Sequence, residues 1–323
     1  MKKVICLIVT AVMALSVCGL FTACGKTADF TVGICQLTRH DALDSATQGF
    51  KDALEKELKK AGKTVKFDLQ NAQGDSGTCS VIVNKFVSAK VDLIMANATP
   101  ALQASANATE TIPVLGTSVT DYGDALNIKN FTGTVGGNVS GTSDLAPLDQ
   151  QADMFTELIP SAKKIGLLYC TAEANSLFQV NKIKEYLEAK SLTTVKYGFT
   201  DSNDISAVVT KAVSECNALY IPTDNTAASN TGVIDSICRP KKIPLICGEE
   251  GTCKGCGVAT LSISYYNLGV VTGKMASEIL LGQAKISETA IAYDTAPQYK
   301  YNKEICDELG ITVPEKYVAI ETK

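Results

Sequence analysis

Histidine is the side chain that enzymes use most for proton transfer, and this chain has one, His40. A single histidine excludes two-step histidine acid–base chemistry and multi-histidine metal centres. The 323 residues contain no G-x-S-x-G elbow, no P-loop and no H-E-x-x-H pair, and no second histidine to activate a serine or cysteine. Glu249 and Glu250 leave a carboxylate-pair hydrolase formally open, but neighbours on one chain seldom face each other across a bond. The remaining polar residues gather in short segments. In the first half these are Gln36-Leu37-Thr38, Asn71-Ala72-Gln73-Gly74-Asp75, Asn97-Ala98-Thr99-Pro100 and Gly116-Thr117-Ser118. In the second they are Thr171 to Ser176, Thr200-Asp201-Ser202, Pro222-Thr223-Asp224-Asn225 and Gly248-Glu249-Glu250. Amides, hydroxyls and carboxylates grouped in this way suit holding a small polar solute by hydrogen bonds.

Each segment closes a β-rich run, and a helical pattern follows. Phe30 to Cys35, Val65 to Leu69, Val91 to Met95 and Ile112 to Leu115 read as strands. Between them Ser45 to Lys60, Cys79 to Ala89 and Pro100 to Ala108 read as helices; Phe50, Leu54 and Leu58 share one face of the first. After Asp144 the order repeats, with strands at Ile165 to Tyr169, Thr193 to Phe199, Ala218 to Ile221 and Ile243 to Ile246. Helices intervene at Ser176 to Ala189, Ser206 to Ser214 and Ala227 to Ser236. Strand–helix alternation implies a parallel sheet covered by helices on both faces. The chain therefore reads as α/β, with two similar doubly wound parallel-sheet lobes. Ligands of such sheets bind beyond the carboxyl ends of the strands, where the polar segments lie.

The N-terminus supplies an address. Lys2 and Lys3 precede an apolar run from Val4 to Phe21, and the small residues Thr22 and Ala23 stand directly before Cys24. This resembles a bacterial lipobox, whose cysteine is lipidated and becomes the new N-terminus, although Phe21 departs from the usual aliphatic residue. An uncleaved anchor is the competing reading, since the run reaches the lower edge of spanning length. Either reading places the body outside the cytoplasmic membrane. A net charge of -4 without basic runs argues against nucleic acid as a partner.

Of 12 cysteines, nine follow Cys24, and an odd number cannot pair completely. Cys35, Cys170 and Cys247 fall where a small hydrophobe would serve, which fits buried free thiols in reducing surroundings. Cys247 with Cys253-Lys254-Gly255-Cys256 could instead bind metal or form a local disulfide. The disulfide stands ahead of zinc, because there is no second C-x-x-C and no nearby histidine.

Several stretches carry a family resemblance. They include His40 to Asp44, Asn71 to Asp75, Lys90 to Ile94, Ala98-Thr99-Pro100, Gly137 to Asp144, Glu173 to Ser176, Pro222 to Thr226 and Ala259 to Tyr266. In order and number these resemble the tryptophan/tyrosine-type substrate-binding lipoproteins of ABC importers, from about Phe30 to the C-terminus. The resemblance implies a type I periplasmic-binding-protein fold, two lobes on a hinge that close around a solute. It implies an aromatic amino acid as ligand, a permease with its ATPase as partners, a lipid-anchored monomer, and no cofactor or metal.

On that premise Asp224 or Glu249 would face the ligand's ammonium, since a buried unpaired charge is costly. Thr99 before Pro100 and Ser118 would hold its carboxylate from the first lobe, and Asn175-Ser176 from the second, using helix N-termini. Gln36, Leu37 and Phe178 would shape the side-chain pocket, and Asn225 adjoins Asp224. Plainer roles compete: Asp44 as a helix cap, Asp75 as a turn former, His40 as a loop residue, Asp224-Asn225 as an Asx turn, Tyr265-Tyr266 as hinge or core. A sensory or adhesive lipoprotein, or a sugar or nucleoside binder, could share the fold; the absence of tryptophan for ring stacking argues against sugar.

The expected organisation is a signal peptide over 1–23, a tether over 24–29, a first lobe of 30–138 with 265–290, and a second of 139–264 with 291–323. Val139 to Ser143 and Ser262 to Ser264 are the expected hinge.

Overall fold

The computed structural model describes residues 28–294 and 296–321. The apolar leader and the proposed lipidation at Cys24 lie outside the described residues. Among the described residues no helix is long and apolar enough to cross a membrane.

In chain order the strands are β1 (Phe30–Gln36), β2 (Val65–Asn71), β3 (Leu93–Asn97), β4 (Val114–Val119), β5 (Val139–Ser143), β6 (Lys164–Cys170) and β7 (Thr193–Phe199). They continue with β8 (Ala218–Ile221), β9 (Leu245–Cys247), β10 (Ala259–Ser262), β11 (Ala292–Tyr293), β12 (Gln298–Tyr301) and β13 (Val318–Ala319). The helices are α1 (Asp41–Lys60), α2 (Ser76–Ala89), α3 (Thr99–Ala108), α4 (Tyr122–Ala125), α5 (Leu148–Leu158) and α6 (Ala174–Ala189). After these come α7 (Ile205–Glu215), α8 (Asn225–Ala228), α9 (Thr231–Cys238), α10 (Glu250–Cys256), α11 (Tyr265–Leu280) and α12 (Lys303–Leu309).

Two sheets organise these elements, in the orders β11-β5-β4-β3-β1-β2 and β13-β12-β10-β9-β8-β6-β7. Within the first, every strand pair is parallel; in the second, β12 runs antiparallel to β10. Strands β3 and β4 are buried along their whole length, as expected where helices cover both faces. Alternate residues serve different cores: Leu93 and Met95 pack with Phe50 and Leu54 of α1, whereas Ile94 and Ala96 pack with Val83 and Phe86 of α2. The second lobe repeats the device, with Leu167 and Tyr220 on one face and Leu168 and Leu219 on the other. The doubly wound, two-lobed α/β architecture is thus present.

The chain crosses between sheets later than the sequence suggests. Val139 to Ser143, expected to be hinge, is β5 of the first sheet, with Val139 opposite Val114. The first crossing therefore follows Ser143 and not residue 138. The composition Val-Ser-Gly-Thr-Ser hides the strand, because it is buried by its neighbours and carries no apolar run. β11 returns to the first sheet beside β5, so the last crossing lies between Tyr293 and Gln298 and not at 290. The middle crossing passes through Ile263 and Ser264; Ser264 caps α11 by accepting from Asn267 N at 3.3 Å. Helix α11 then packs along α1 of the first lobe.

Helix α1 begins at Asp41, four residues before the expected start, so Asp44 lies in its first turn and is not its cap. His40 occupies the cap position without a side-chain bond to the helix. Asp75 caps α2 by accepting from Thr78 N at 2.5 Å. The nine described cysteines are all buried and unpaired. Cys253 and Cys256 sit three apart on α10; the Cys256 thiol donates to Thr252 O, and burial holds the Cys247 and Cys253 thiols above their ordinary range. The thiols are thus free as on the plainer reading, the alternative local disulfide is not formed, and no group of three or more His, Cys, Asp or Glu is placed to hold a metal among the described residues.

Candidate cleft between the lobes

Gln36, at the carboxyl end of β1, is buried in a closed network. Its Nε2 donates to Thr38 O at 2.7 Å and Asp44 Oδ1 at 2.6 Å, and its Oε1 accepts from Thr47 Oγ1 at 2.7 Å. Asn97, at the end of β3, joins through Nδ2, which donates to Leu43 O at 2.8 Å and Thr47 Oγ1 at 3.0 Å. The network spends the polar atoms of Gln36 on rigidity, so this residue frames the strand ends from behind.

The next positions are different. Asn97 Oδ1, Thr99 Oγ1, Ser118 Oγ and Asn175 Oδ1 are buried and have no hydrogen-bond partner among the described residues. Buried polar atoms are normally paired, and each unpaired one costs about 1–3 kcal/mol. Three stand at carboxyl ends of first-lobe strands and one in the first turn of α6. The fifth such atom, Thr260 Oγ1, belongs to β10 opposite Cys247. Backbone strain coincides with the first group: Ala98 has φ 94° and Ser118 φ 55°, both without glycine's freedom. The Ala98 turn leads into α3, which carries Pro100 in its first turn.

In the second lobe, Glu173 is the anchor that the sequence reading missed. Its Oε2 accepts from Asn225 N, Asn225 Nδ2 and Asn175 Nδ2; its Oε1 accepts from Thr226 N and Thr226 Oγ1. Asp224 caps α8, accepting from Ala227 N at 2.8 Å, and its other oxygen accepts from Cys170 N at 2.6 Å. The Asx-turn role is therefore what the geometry displays for Asp224. Burial and the nearby Glu173 push its carboxyl up to about 7. Glu249 caps α10 through Gly251 N, Thr252 N and Thr252 Oγ1.

Cavities divide the candidates. Leu37 and Pro100 of the first lobe face Glu173, Asn225 and Thr226 of the second across a space of about 310 Å³. Glu249 lines two others, of about 390 Å³ with His40 and about 670 Å³ with Tyr265. His40 Nε2 lies 3.2 Å from Asn225 Oδ1 and so joins the lobes directly. Ser176 is fully buried beside Asp224. Gln36, Thr99, Ser118, Asn175, Ser176, Phe178 and Asp224 are not among the residues lining these spaces.

Behind the cleft a buried chain of bonds links hinge to lobes. Tyr265 OH donates to Asp144 Oδ2 at 3.0 Å, Thr120 Oγ1 donates to Asp144 Oδ1 at 3.0 Å, and Gln179 Nε2 of α6 donates to Thr120 Oγ1 at 3.0 Å. Burial pushes the Asp144 carboxyl up to about 6, partly opposed by the Tyr265 and Thr120 bonds and reinforced by Glu249. An aspartate ordinarily titrates near 3.8. The folded protein therefore keeps protons on Asp144 and Asp224 that the unfolded chain has released. That contribution is fully present below about pH 4 and is lost as pH rises through about 6 and 7. Thermal unfolding of the ligand-free protein is expected to show a Tm falling from pH 4 to 7. Asp144→Asn should flatten the lower part of that fall, and an unchanged slope would contradict it.

Comparison with known proteins bears on this cleft. A model of the family described as "ABC transporter substrate binding protein" matches residues 31–323. A protein of Clostridioides difficile named "Tyrosine-binding protein" is 37% identical over 298 residues, 88% of this chain and 85% of that protein. The structure of an ABC domain in complex with L-Trp from Streptococcus pneumoniae superposes with TM-score 0.83 at 34% identity, covering 89% of this chain and 97% of that one. A ligand-free, open substrate binding protein with adhesive properties from Clostridium difficile gives 0.68 at 38% identity, over 91% and 100% of the two chains. The lobes here thus superpose better on the complex than on the open form.

Proposed function

The chain belongs to the ABC transporter substrate binding protein family, and we propose that its cargo is an aromatic amino acid, tyrosine or tryptophan, enclosed between the lobes. The observation that carries this reading is the set of unpaired buried oxygens on Thr99, Ser118 and Asn175. Left unpaired, they are groups that a bound ligand would satisfy. The ligand's carboxylate would meet the hydroxyls of Thr99 and Ser118 at the N-terminus of α3, where backbone N–H groups and the helix dipole favour an anion. Leu37, Pro100, Ser176 and Asn225 would complete the enclosure, with Gln36, Asp224 and Glu249 holding the strand ends and helix caps in place.

The protein would bind without turnover, outside the cytoplasmic membrane, and deliver to a permease powered by its ATPase. Lipidation at Cys24 would keep it there as a tethered monomer. Support for the aromatic class comes from the names of the tyrosine-binding and L-Trp-bound relatives.

Calorimetric titration with tyrosine, tryptophan, phenylalanine and aliphatic amino acids tests the class. Failure of all of them, with ribose or a nucleoside binding instead, would remove it. Thr99→Val and Ser118→Ala provide a second measure. Each deletes an unpaired buried hydroxyl, so each is expected to raise ligand-free stability by about 1 kcal/mol while weakening ligand about 10-fold or more. A gain in stability with unchanged affinity would place the hydroxyls away from the ligand.

A further inference from the structure

Resting on the amino-acid reading above, we propose that Asn97 and Asn175 hold the ligand's ammonium from opposite lobes through their Oδ1 atoms. The two unpaired hydroxyls, on Thr99 and Ser118, are thereby left to the carboxylate. No side-chain carboxylate then makes the primary contact with the positive charge.

The orientation of both amides is dictated by their partners. Asn97 Nδ2 faces Leu43 O, and Asn175 Nδ2 faces Thr223 O at 2.9 Å and Glu173 Oε2 at 3.1 Å. A carbonyl oxygen can only accept, so the nitrogen must occupy that side and the oxygen the other. Each Oδ1 is then an acceptor with nothing to accept among the described residues. An acceptor needs a donor, and within an amino-acid zwitterion the backbone donor is the ammonium. A hydroxyl can also donate, which suits Thr99 and Ser118 to the other charge.

The carboxylates nearest at hand already accept bonds from the backbone. Asp224 accepts from Ala227 N and Cys170 N, and Glu249 accepts from the first turn of α10. Glu173 reaches the site indirectly. Because its Oε2 takes a bond from Asn175 Nδ2, it polarises that amide and makes Oδ1 the better acceptor. The amide passes on part of the charge without a bare carboxylate in the cleft.

Position supports the pairing. Asn97 ends β3, two residues before α3, and Asn175 lies in the first turn of α6; α3 packs against α6 across the cleft. Gln179, one turn after Asn175 on the same face, donates to Thr120, two residues beyond Ser118. Closure would then be read by the ammonium, since only the closed arrangement presents both amide oxygens to it.

The test pairs a deletion in the protein with a deletion in the ligand. L-Tyrosine and 3-(4-hydroxyphenyl)propionate, which lacks only the ammonium, are titrated calorimetrically into the wild type, Asn97→Ala and Asn175→Ala. Wild type should bind the desamino acid at least 100-fold more weakly than tyrosine. Each variant should lose about 10- to 100-fold for tyrosine and change less than about threefold for the desamino acid. Equal losses for both ligands, or no loss for tyrosine, would overturn the assignment. The wild-type comparison needs no variant, so a variant that fails to fold leaves the proposal exposed to refutation; equal wild-type affinity for the two ligands refutes it. A wild type that binds no amino acid removes the parent reading, whereas tyrosine binding indifferent to the variants removes this inference alone.

Discussion

Glu173→Ala is expected to destabilise the second lobe by about 3 kcal/mol or more and, with tyrosine as the proposed cargo, to abolish its measurable capture, a loss of at least 100-fold. Glu173 is nearly fully buried, and its two oxygens take five hydrogen bonds from Asn175, Asn225 and Thr226. Truncation leaves five donors competing for whatever water can enter. Each buried unpaired donor costs about 1–3 kcal/mol, and the sum is reduced because α8 can shift toward solvent. That shift is what destroys the site, since it releases Asn175 and separates Asn225 from His40. Glu173→Gln keeps the shape but sets an amide NH₂ against donor groups, so it should fold and still bind at least 10-fold more weakly. Unfolding curves in urea and calorimetry on the same samples separate the two effects. Tyrosine affinity within about threefold of wild type in Glu173→Ala would contradict the role given to this residue.

Gly269→Ala is expected to cost about 3 kcal/mol or more and to leave little folded protein at moderate temperature. A Cβ there would collide with the carbonyl oxygen of Ala46 and lie 2.8 Å from Phe50 N, so backbone of α1 would have to move. Gly49 faces Tyr266 O in the same way from the other helix, and a Cβ at Gly273 would lie 2.5 Å from Phe50 O. Three glycines let α1 and α11 touch along their backbones, and α11 emerges directly from the middle crossing. Separating the pair would therefore also tilt the second lobe. Helix propensity alone favours alanine over glycine by about 1 kcal/mol, so the expected sign depends on contact. Gly232→Ala in α9 is the control, because an added Cβ meets nothing within 4 Å; it should be neutral or stabilising by at most about 1 kcal/mol. A Gly269→Ala Tm within 2 °C of wild type would show that the helices can part at little cost.

The sequence made the strand–helix alternation legible because both periods are local: apolar runs for β3, and a 3.6-residue stripe through Phe50, Leu54 and Leu58 for α1. It failed for β5, whose small polar residues are buried by β4 and β11 and by no property of their own. The cap assigned to Asp44 fell one turn away. The turn before α1 offers Thr38 to His40 without an acidic cap, and Asp44 instead serves Gln36.

The polar residues at the strand ends were readable. Membership of the tips in a family was readable as well, because motif order survives without coordinates. Which tip atoms are spent and which remain available was decided by tertiary structure alone. Asp224 and Glu249 are conspicuous as charges, yet each already accepts bonds at a helix N-terminus; Asn97 and Asn175 look ordinary, yet each keeps one oxygen unpaired. The physical reason is that hydrogen-bond satisfaction depends on partners distant in sequence, Leu43 for Asn97 and Thr223 for Asn175. A linear pattern records which donors and acceptors a chain owns, and only the folded arrangement determines which of them are left for a ligand.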